Sequence, residues 1–281
     1  MGHREPFCAS VVGGGLAGWV DRGSAPGALL LHGGPGLNFE YLDGLAAELA
    51  ADVRMAAFQQ RGLEPSTLAG PFTVAQAIAD VVAVLDCLEW PRAVLVGHSW
   101  GGYLALRVAA THPERVEAAL AVDPVGIVGD GGRAAFQAEL AARIPKVGRE
   151  RRRLLDEQVA SGARSPAEAA LESLGIVWPA YFADPEAAPA MPEMQWSLEA
   201  YQGIMSDVAQ GAADACAELA LGRARYGVLS GAASPIPWGQ AGRASAELSP
   251  AATFMLVPAA GHFPWLEAPG SVRAALSRLL Q

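Results

Sequence analysis

The sequence predicts an α/β fold in which a mainly parallel sheet is flanked by helices. Short apolar runs alternate with segments of helical spacing, which indicates successive βαβ units. Within each run the apolar residues are consecutive, as is typical of parallel strands that are buried on both faces. The alternation stops after Asp123, and the stretch up to residue 221 has helical spacing. We therefore expect one core, residues 1–125 and 222–281, with a helical cap subdomain inserted at 126–221.

The elements of the core follow one another along the chain. Two β-type runs around three consecutive glycines predict an opening hairpin at 7–21. Short apolar runs predict the remaining strands, at 28–32, 53–58, 93–97, 117–122, 226–230 and 253–257. Apolar residues three and four positions apart predict the helices, at 40–50, 74–88, 100–111, 239–247 and 269–280.

The composition excludes several classes of protein. The 281 residues are 52% hydrophobic and 17% charged, with a net charge of −9 and no basic block. This balance is typical of a globular domain and argues against nucleic acid or an anionic membrane as a partner. The first residues lack the apolar core of a signal peptide, and no apolar run approaches the roughly 20 residues that span a bilayer. We expect a cytoplasmic protein that acts on a small molecule.

The cysteines also favour a cytoplasmic location. Cys8, Cys87 and Cys216 are widely spaced, odd in number and form no C-x-x-C pair. Unpaired thiols in a reducing compartment are the expected state, rather than a disulfide framework. We expect neither a metal ion nor a cofactor.

Residues 97–101, Gly-His-Ser-Trp-Gly, match the pattern G-x-S-x-G between a predicted strand and a predicted helix. In that setting the serine sits on a strained turn, and side chains two positions away on either side would collide with it. The turn lifts the hydroxyl above the sheet and directs the helix N-terminus toward it, which favours developing negative charge. Ser99 is therefore predicted to be a catalytic nucleophile.

The run His-Gly-Gly-Pro-Gly at 32–36 follows an earlier predicted strand. A tetrahedral intermediate needs two backbone N–H donors, one from the residue after the nucleophile and one from a loop in this position. These donors are predicted to be Trp100 and Gly34. We interpret His32 as a residue that orients the loop.

A serine nucleophile needs a histidine base, and the chain has five histidines. His3 lies in the N-terminal segment, and His98 is predicted to point away as the variable residue of the turn. His112 ends a helix at a solvated corner. His262 follows the last predicted strand, from which it can reach Ser99 across the strand ends and take its proton.

Together these residues resemble the α/β-hydrolase superfamily over nearly the whole chain. The runs at 32–36, 97–102 (GHSWGG) and 60–62 (QRG) most resemble its proline iminopeptidase-like branch, whereas 112–116 (HPERV) and 261–270 (GHFPWLEAPG) are similar to general superfamily features. The resemblance implies an α/β-hydrolase fold, a helical cap over the site, and hydrolysis of an ester, amide or lactone without a cofactor.

The chain departs from this pattern at two positions. Gln59 stands where the branch usually has an aspartate, and Ser234 stands where the superfamily usually has the acid of the catalytic triad. The resemblance offers a replacement, because some members place the acid at the end of the strand after the nucleophile helix, where this chain has Asp123. Asp123 is the favoured acid, Asp130 is the reserve, and a dyad assisted by Ser234 is the third possibility.

The predicted cap contains aromatic residues that would suit an apolar acyl pocket, namely Trp178, Tyr181, Phe182, Trp196 and Tyr201. We therefore predict a serine hydrolase acting on a small-to-medium apolar ester, lactone or amide.

One alternative is a proline iminopeptidase-type aminopeptidase, which needs carboxylates for the substrate amine. Glu193, Glu199 and Asp207 could provide them, but a solvated position is expected for each. The other alternative is a non-hydrolytic member, such as a biosynthetic lyase, an acyltransferase or a ligand-binding protein.

Overall fold

The structure, a computed structural model, describes residues 4–21, 23 and 27–281, so that His3 lies outside it. Eight strands lie within these residues, β1 (Arg4–Val11), β2 (Gly14–Asp21), β3 (Gly27–Leu31), β4 (Arg54–Phe58), β5 (Ala93–His98), β6 (Val116–Val122), β7 (Tyr226–Gly231) and β8 (Thr253–Val257). They form one sheet in the order β1-β2-β4-β3-β5-β6-β7-β8.

The pairing of the strands confirms the predicted fold class. β1 and β2 form the expected antiparallel hairpin, and β2 also pairs antiparallel with β4. The pairings from β4 through β8 are all parallel. Since β3, β5 and β6 are neighbours in the sheet, the loops that follow them lie side by side at its carboxyl edge.

The helices are α1 (Asp43–Leu49), α2 (Val74–Cys87), α3 (Trp100–Thr111), α4 (Arg133–Arg143), α5 (Lys146–Ala160), α6 (Pro166–Val177), α7 (Leu198–Gln210), α8 (Ala212–Leu221), α9 (Ala244–Ala246), α10 (Pro264–Glu267) and α11 (Ser271–Leu280). The helix predicted at 239–247 is interrupted, because a π-helical turn at Gly239–Arg243 precedes the short α9. Two glycines in that turn explain the interruption, since glycine is a poor helix former.

The central strands are buried on both faces, which is the physical reason for their consecutive apolar residues. In β5, Leu95 packs in the cluster that includes α2 and α3, whereas Val94 and Val96 pack in the cluster that includes α1 and α11. All three side chains are fully buried. Burial of one such side chain contributes about 1.5–3 kcal/mol. The two helical layers thus hold β5 in place, together with the turn at its carboxyl end.

Helices α4 to α8 lie between β6 and β7, within the segment where the cap is predicted. Among the contacts that attach this segment to the core, two involve the helices α3 and α2. Arg107 of α3 pairs with Glu218 of α8 at 2.8 Å. Asp207 of α7 accepts the backbone N–H of Val74, the first residue of α2, at 2.7 Å. Across the described part of the chain, no helix combines the length and apolar character needed to cross a membrane.

Candidate active site

Ser99 lies in the turn that joins β5 to α3. Its backbone angles, φ 56° and ψ −118°, are costly for a residue that carries a Cβ atom. The two flanking glycines make this turn possible, because a Cβ at Gly97 would lie 1.9 Å from the Gly101 carbonyl oxygen. A Cβ at Gly101 would lie 2.0 Å from the Leu31 carbonyl oxygen. The structure therefore contains the strained turn that the sequence predicts, and the excluded contacts are with backbone atoms.

Two cavities meet at the partly exposed Ser99. One has a volume of about 130 Å³ and the other of about 70 Å³. Gly34, Tyr181 and His262 line both cavities together with Ser99, and Trp100 lines the larger one. The predicted nucleophile, base and backbone donors thus come together around one space.

Asp123 directly follows β6, has a positive φ of 44° and is almost completely buried. Its Oδ2 atom lies 2.6 Å from His262 Nδ1 and accepts a hydrogen bond from Ser234 Oγ at 2.6 Å. Its Oδ1 atom accepts the Gly231 N–H at 3.0 Å. The reserve candidate, Asp130, instead accepts N–H groups at the start of α4. Of the two carboxylates considered, the structure brings only Asp123 to the histidine, and it places Ser234 on the same carboxylate oxygen.

These contacts determine the tautomer of His262. A carboxylate oxygen only accepts, so Nδ1 of His262 carries the proton and Nε2 of the neutral ring remains an acceptor. The loop that holds the ring is fixed on its other side, because the His262 N–H donates to the Tyr181 carbonyl oxygen at 2.8 Å. Glu267 accepts the N–H groups of Gly261 and Ala183, each at 2.7 Å. The predicted base is therefore positioned jointly by the core and by the inserted helical segment.

The loop at 32–36 lies against the serine turn. Gly34 has a positive φ of 68°, a conformation that favours glycine. The N–H of Gly33 donates to the Tyr41 hydroxyl at 2.6 Å and is therefore occupied. Within residues 4–21, 23 and 27–281, the N–H groups of Gly34 and Trp100 have no hydrogen-bond partner. These are the two donors that the sequence predicts for an oxyanion.

His32 connects this loop to the neighbouring strand ends. Its Nδ1–H donates to the Gly33 carbonyl oxygen at 3.2 Å, and its Nε2 accepts the Gln60 N–H at 3.0 Å. Burial lowers the pKa of His32 to about 4. The hydrogen bond to Gly33 raises that pKa, but by less than burial lowers it. The ring is neutral at pH 7 and its contacts are those of an orienting residue. Gln60 also receives the Trp100 Nε1–H at 2.8 Å, which ties the loop to the serine turn.

The prediction that His98 points away needs correction. His98 is buried, and its Nε2–H donates to the His262 carbonyl oxygen at 2.8 Å. Its Nδ1 must then accept, and the Tyr41 hydroxyl donates to it at 2.9 Å. Burial, together with the neighbouring His262, holds the pKa of His98 well below its usual value. A chain of hydrogen bonds thus runs from Gly33 through Tyr41 and His98 to the backbone of His262.

Sequence reasoning missed Tyr41 for a physical reason. It lies in a short 3-10 helix before α1 and meets His98 only through the tertiary structure. No local pattern marks such a residue. For His98 a signal existed, since a histidine next to the nucleophile is itself a hydrogen-bonding residue.

The predicted pocket residues divide into two groups. Tyr181 and Tyr201 line the larger cavity, and Trp178 and Tyr181 line the smaller one. Phe182 and Trp196 line neither, which corrects the prediction for these two residues. Phe182 is buried between Trp178 and Phe263 in the core, and the ring of Trp196 packs edge-on against that of Tyr201.

The acidic residues considered for binding an amine lie away from Ser99. Glu193 and Glu199 are exposed, and Asp207 is only half-buried and binds the start of α2. None of them lines either Ser99 cavity; the charged side chain that does is Arg133. As for metals, no group of three or more His, Cys, Asp or Glu side chains in the described ranges is placed to hold an ion.

Comparison with known proteins adds the family. A model of the Alpha/beta hydrolase family matches residues 28–275. An epoxide hydrolase from Caballeronia sordidicola is 29% identical over 182 residues, which cover 63% of this chain and 52% of that protein. The matched segment therefore spans about half the length of that curated relative.

Solved structures resemble the whole chain. The enol-lactonase from Burkholderia xenovorans LB400 superposes with a TM-score of 0.67 at 21% identity and covers 98% of this chain and 99% of its own. Carboxylesterase CesB (YbfK) from Bacillus subtilis superposes with a TM-score of 0.68 at 20% identity, and the match covers 99% of this chain and 92% of that protein. At these identities the likeness establishes the fold.

Proposed function

This chain belongs to the alpha/beta hydrolase family, and from that premise we propose that it is a serine hydrolase. Its substrate would be a small-to-medium, largely apolar ester, lactone or amide, cleaved through an acyl-enzyme. Residues 126–221 would act as a helical cap, since Tyr181 and Tyr201 from this segment line the cavity at Ser99.

One observation carries the proposal. His262, whose Nδ1 atom is hydrogen-bonded to the buried Asp123 carboxylate, lines the same two cavities as Ser99, which lies on a strained turn. A protein that merely binds a ligand would need neither the buried carboxylate nor the two free N–H groups. Their combination supports covalent catalysis over binding alone.

In the acylation step, His262 Nε2 accepts the Ser99 proton as Oγ attacks the carbonyl carbon of the substrate. Asp123 stabilises the imidazolium that forms, and Ser234 and Gly231 hold the carboxylate in place. The N–H groups of Gly34 and Trp100 would bind the oxyanion, each donor being worth about 3–4 kcal/mol of barrier. His262 then gives its proton to the leaving alcohol or amine.

Deacylation repeats the steps with water. Water attacks the acyl-enzyme while His262 takes one of its protons, and collapse of the second intermediate returns that proton to Ser99 Oγ. The balance is one substrate and one water consumed; an ester or amide releases one acid and one alcohol or amine, and a lactone gives one hydroxy acid. Only groups of this chain and a water take part.

The residues that line the two Ser99 cavities do not favour the alternative of an aminopeptidase. An N-terminal amine calls for a carboxylate close to the nucleophile, whereas the residues that line the two Ser99 cavities include no aspartate or glutamate. The solved structures that share this fold include an enol-lactonase and a carboxylesterase, and an ester or lactone substrate is consistent with them.

The proposal is tested by reaction with a fluorophosphonate probe, followed by intact mass and peptide mapping. We expect one adduct on Ser99, none in Ser99→Ala, and an unchanged adduct in the control Ser206→Ala, which alters an exposed serine of α7. Labelling that persists in Ser99→Ala would overturn the assignment of Ser99 as the nucleophile. A screen of 4-nitrophenyl esters, simple lactones, proline anilide and an epoxide then separates the candidate substrates, and release of proline alone would favour the aminopeptidase.

A further inference from the structure

The larger Ser99 cavity continues beyond the nucleophile. It adjoins a third cavity of about 350 Å³, because the two share part of their lining. The shared residues are Val125, Gly131, Arg133, Gln137 and Met205. A substrate that extends out of the 130 Å³ cavity on this side would pass these residues.

Arg133 and Gln137 lie one helical turn apart on α4, so their side chains share a face. Neither side chain forms a hydrogen bond or an ion pair with any residue in the described ranges. Arg61 and Arg107, which line other cavities, are each paired with a carboxylate at 2.5 Å and 2.8 Å. Arg133 differs from these two buried residues, because it is exposed and no protein group in the described part of the chain binds its guanidinium donors.

The lining of the larger Ser99 cavity, taken over residues 4–21, 23 and 27–281, includes no aspartate or glutamate that could balance the charge of Arg133. Asp130 lines the 350 Å³ cavity, but backbone N–H groups of Ala134 and Gly132 occupy its oxygens at 2.9 Å each. Those hydrogen bonds, and to a smaller extent the charge of Arg133, lower the pKa of Asp130. Among the described residues that line the larger Ser99 cavity, Arg133 is the one arginine or lysine.

We propose that the substrate carries a carboxylate or a similar planar anion, and that Arg133 binds it with help from the Gln137 amide. The inference rests on the proposed function, because it assigns a substrate class to the Ser99 site. A guanidinium presents two parallel N–H donors that match a carboxylate. Since the chain as a whole has a net charge of −9, long-range attraction does not concentrate anions, and recognition falls to this local cation.

Two pairs of substrates test the proposal, each differing in one negative charge. On the acyl side, 4-nitrophenyl hemiglutarate is compared with its methyl ester. On the alcohol side, 4-carboxyphenyl butyrate is compared with 4-carbamoylphenyl butyrate. The kcat/KM ratio within each pair is measured for the wild type, Arg133→Gln and Arg133→Lys, after subtraction of the rate with Ser99→Ala. Arg223→Gln is the matched control, because Arg223 is exposed and lines none of the three cavities.

In the wild type we expect the charged member of at least one pair to be preferred by about tenfold. The preference should vanish in Arg133→Gln, persist in part in Arg133→Lys and be unchanged in Arg223→Gln. A wild-type ratio near one in both pairs, with both esters hydrolysed and Ser99 labelled, would overturn the substrate class while leaving the hydrolase intact. A preference retained by Arg133→Gln would overturn the role of Arg133. If no ester is hydrolysed and Ser99 is unlabelled, both proposals fail.

Discussion

Replacement of Asp123 by asparagine tests the proposed triad most directly. In the structure, Oδ2 of Asp123 receives His262 Nδ1–H and Ser234 Oγ–H, and Oδ1 receives the Gly231 N–H. Asparagine keeps the shape but offers one acceptor oxygen and one NH₂ donor. If the oxygen stays on Gly231, the amide presents N–H to His262 Nδ1, which must then accept. The ring proton would move to Nε2, and His262 could no longer take the proton of Ser99.

Two losses determine the size of the effect. The wrong tautomer removes the base, and the neutral amide no longer stabilises an imidazolium, so kcat should fall by about 10⁴-fold, or about 5 kcal/mol of barrier. KM should change less, because Asp123 is 1% exposed and lines neither Ser99 cavity. Ser234→Ala removes only one of the three hydrogen bonds to the carboxylate, and we expect a loss of about tenfold or less.

The assay is steady-state kinetics on the best ester or lactone from the substrate screen, with urea unfolding of each variant as the check on folding. Asp130→Asn is the control, because its carboxylate binds the start of α4, and kcat should stay within about threefold. A relocated acid, Asp123→Ser combined with Ser234→Asp, should recover about 10²-fold over Asp123→Asn. The reason is that Ser234 Oγ lies 2.6 Å from the oxygen that His262 uses.

A kcat for Asp123→Asn within about tenfold of the wild type, with unchanged unfolding, would refute this reasoning. It would mean that the 2.6 Å contact between Asp123 and His262 contributes little to the chemical step.

Three further predictions concern the surroundings of the site. Tyr41→Phe removes the hydroxyl that binds the Gly33 N–H and His98 Nδ1. We expect kcat to fall about tenfold or more, with KM nearly unchanged. The control Tyr226→Phe, which loses a buried hydrogen bond far from Ser99, should show the stability loss without the fall in kcat. Because burial lowers the pKa of His32 to about 4, the unfolded chain binds a proton below pH 6.5 that the folded protein does not bind. Unfolding free energy should therefore decrease by about 2 kcal/mol from this group between pH 7 and pH 5, and a His32→Gln variant should lack that component in urea titrations. Asp80→Asn leaves Arg61 buried without its carboxylate, which should lower the free energy of unfolding by about 3–5 kcal/mol, whereas an unchanged urea midpoint would contradict it.

Most of the fold and half of the site were accessible from local patterns. Consecutive apolar runs identify strands because both faces of the central strands are covered by helices. The serine turn is readable because its glycines are required by contacts within one short segment. For the acid, the chain offered two carboxylates and a serine, and the resemblance together with the position of Asp123 at the end of a predicted strand favoured Asp123.

The errors also have a physical explanation. Phe182 and Trp196 belong to an aromatic-rich segment, but aromatic residues fill cores as readily as pockets, and only the packing assigns each side chain to one or the other. His98 was expected to point away because its position in the turn is variable, yet the turn directs it toward the loop of His262.

By itself, the sequence determined the fold class, the strained turn at Ser99 and the loop that faces it, because periodicity and glycine placement act over a few residues. The tertiary structure selected Asp123 from the candidate acids by placing it on His262, and it alone decided that Ser234 binds that same carboxylate and that Tyr41 binds His98. These partners lie between 57 and 139 positions apart. Their meeting depends on the order of strands in the sheet and on the packing of side chains, neither of which any local pattern encodes.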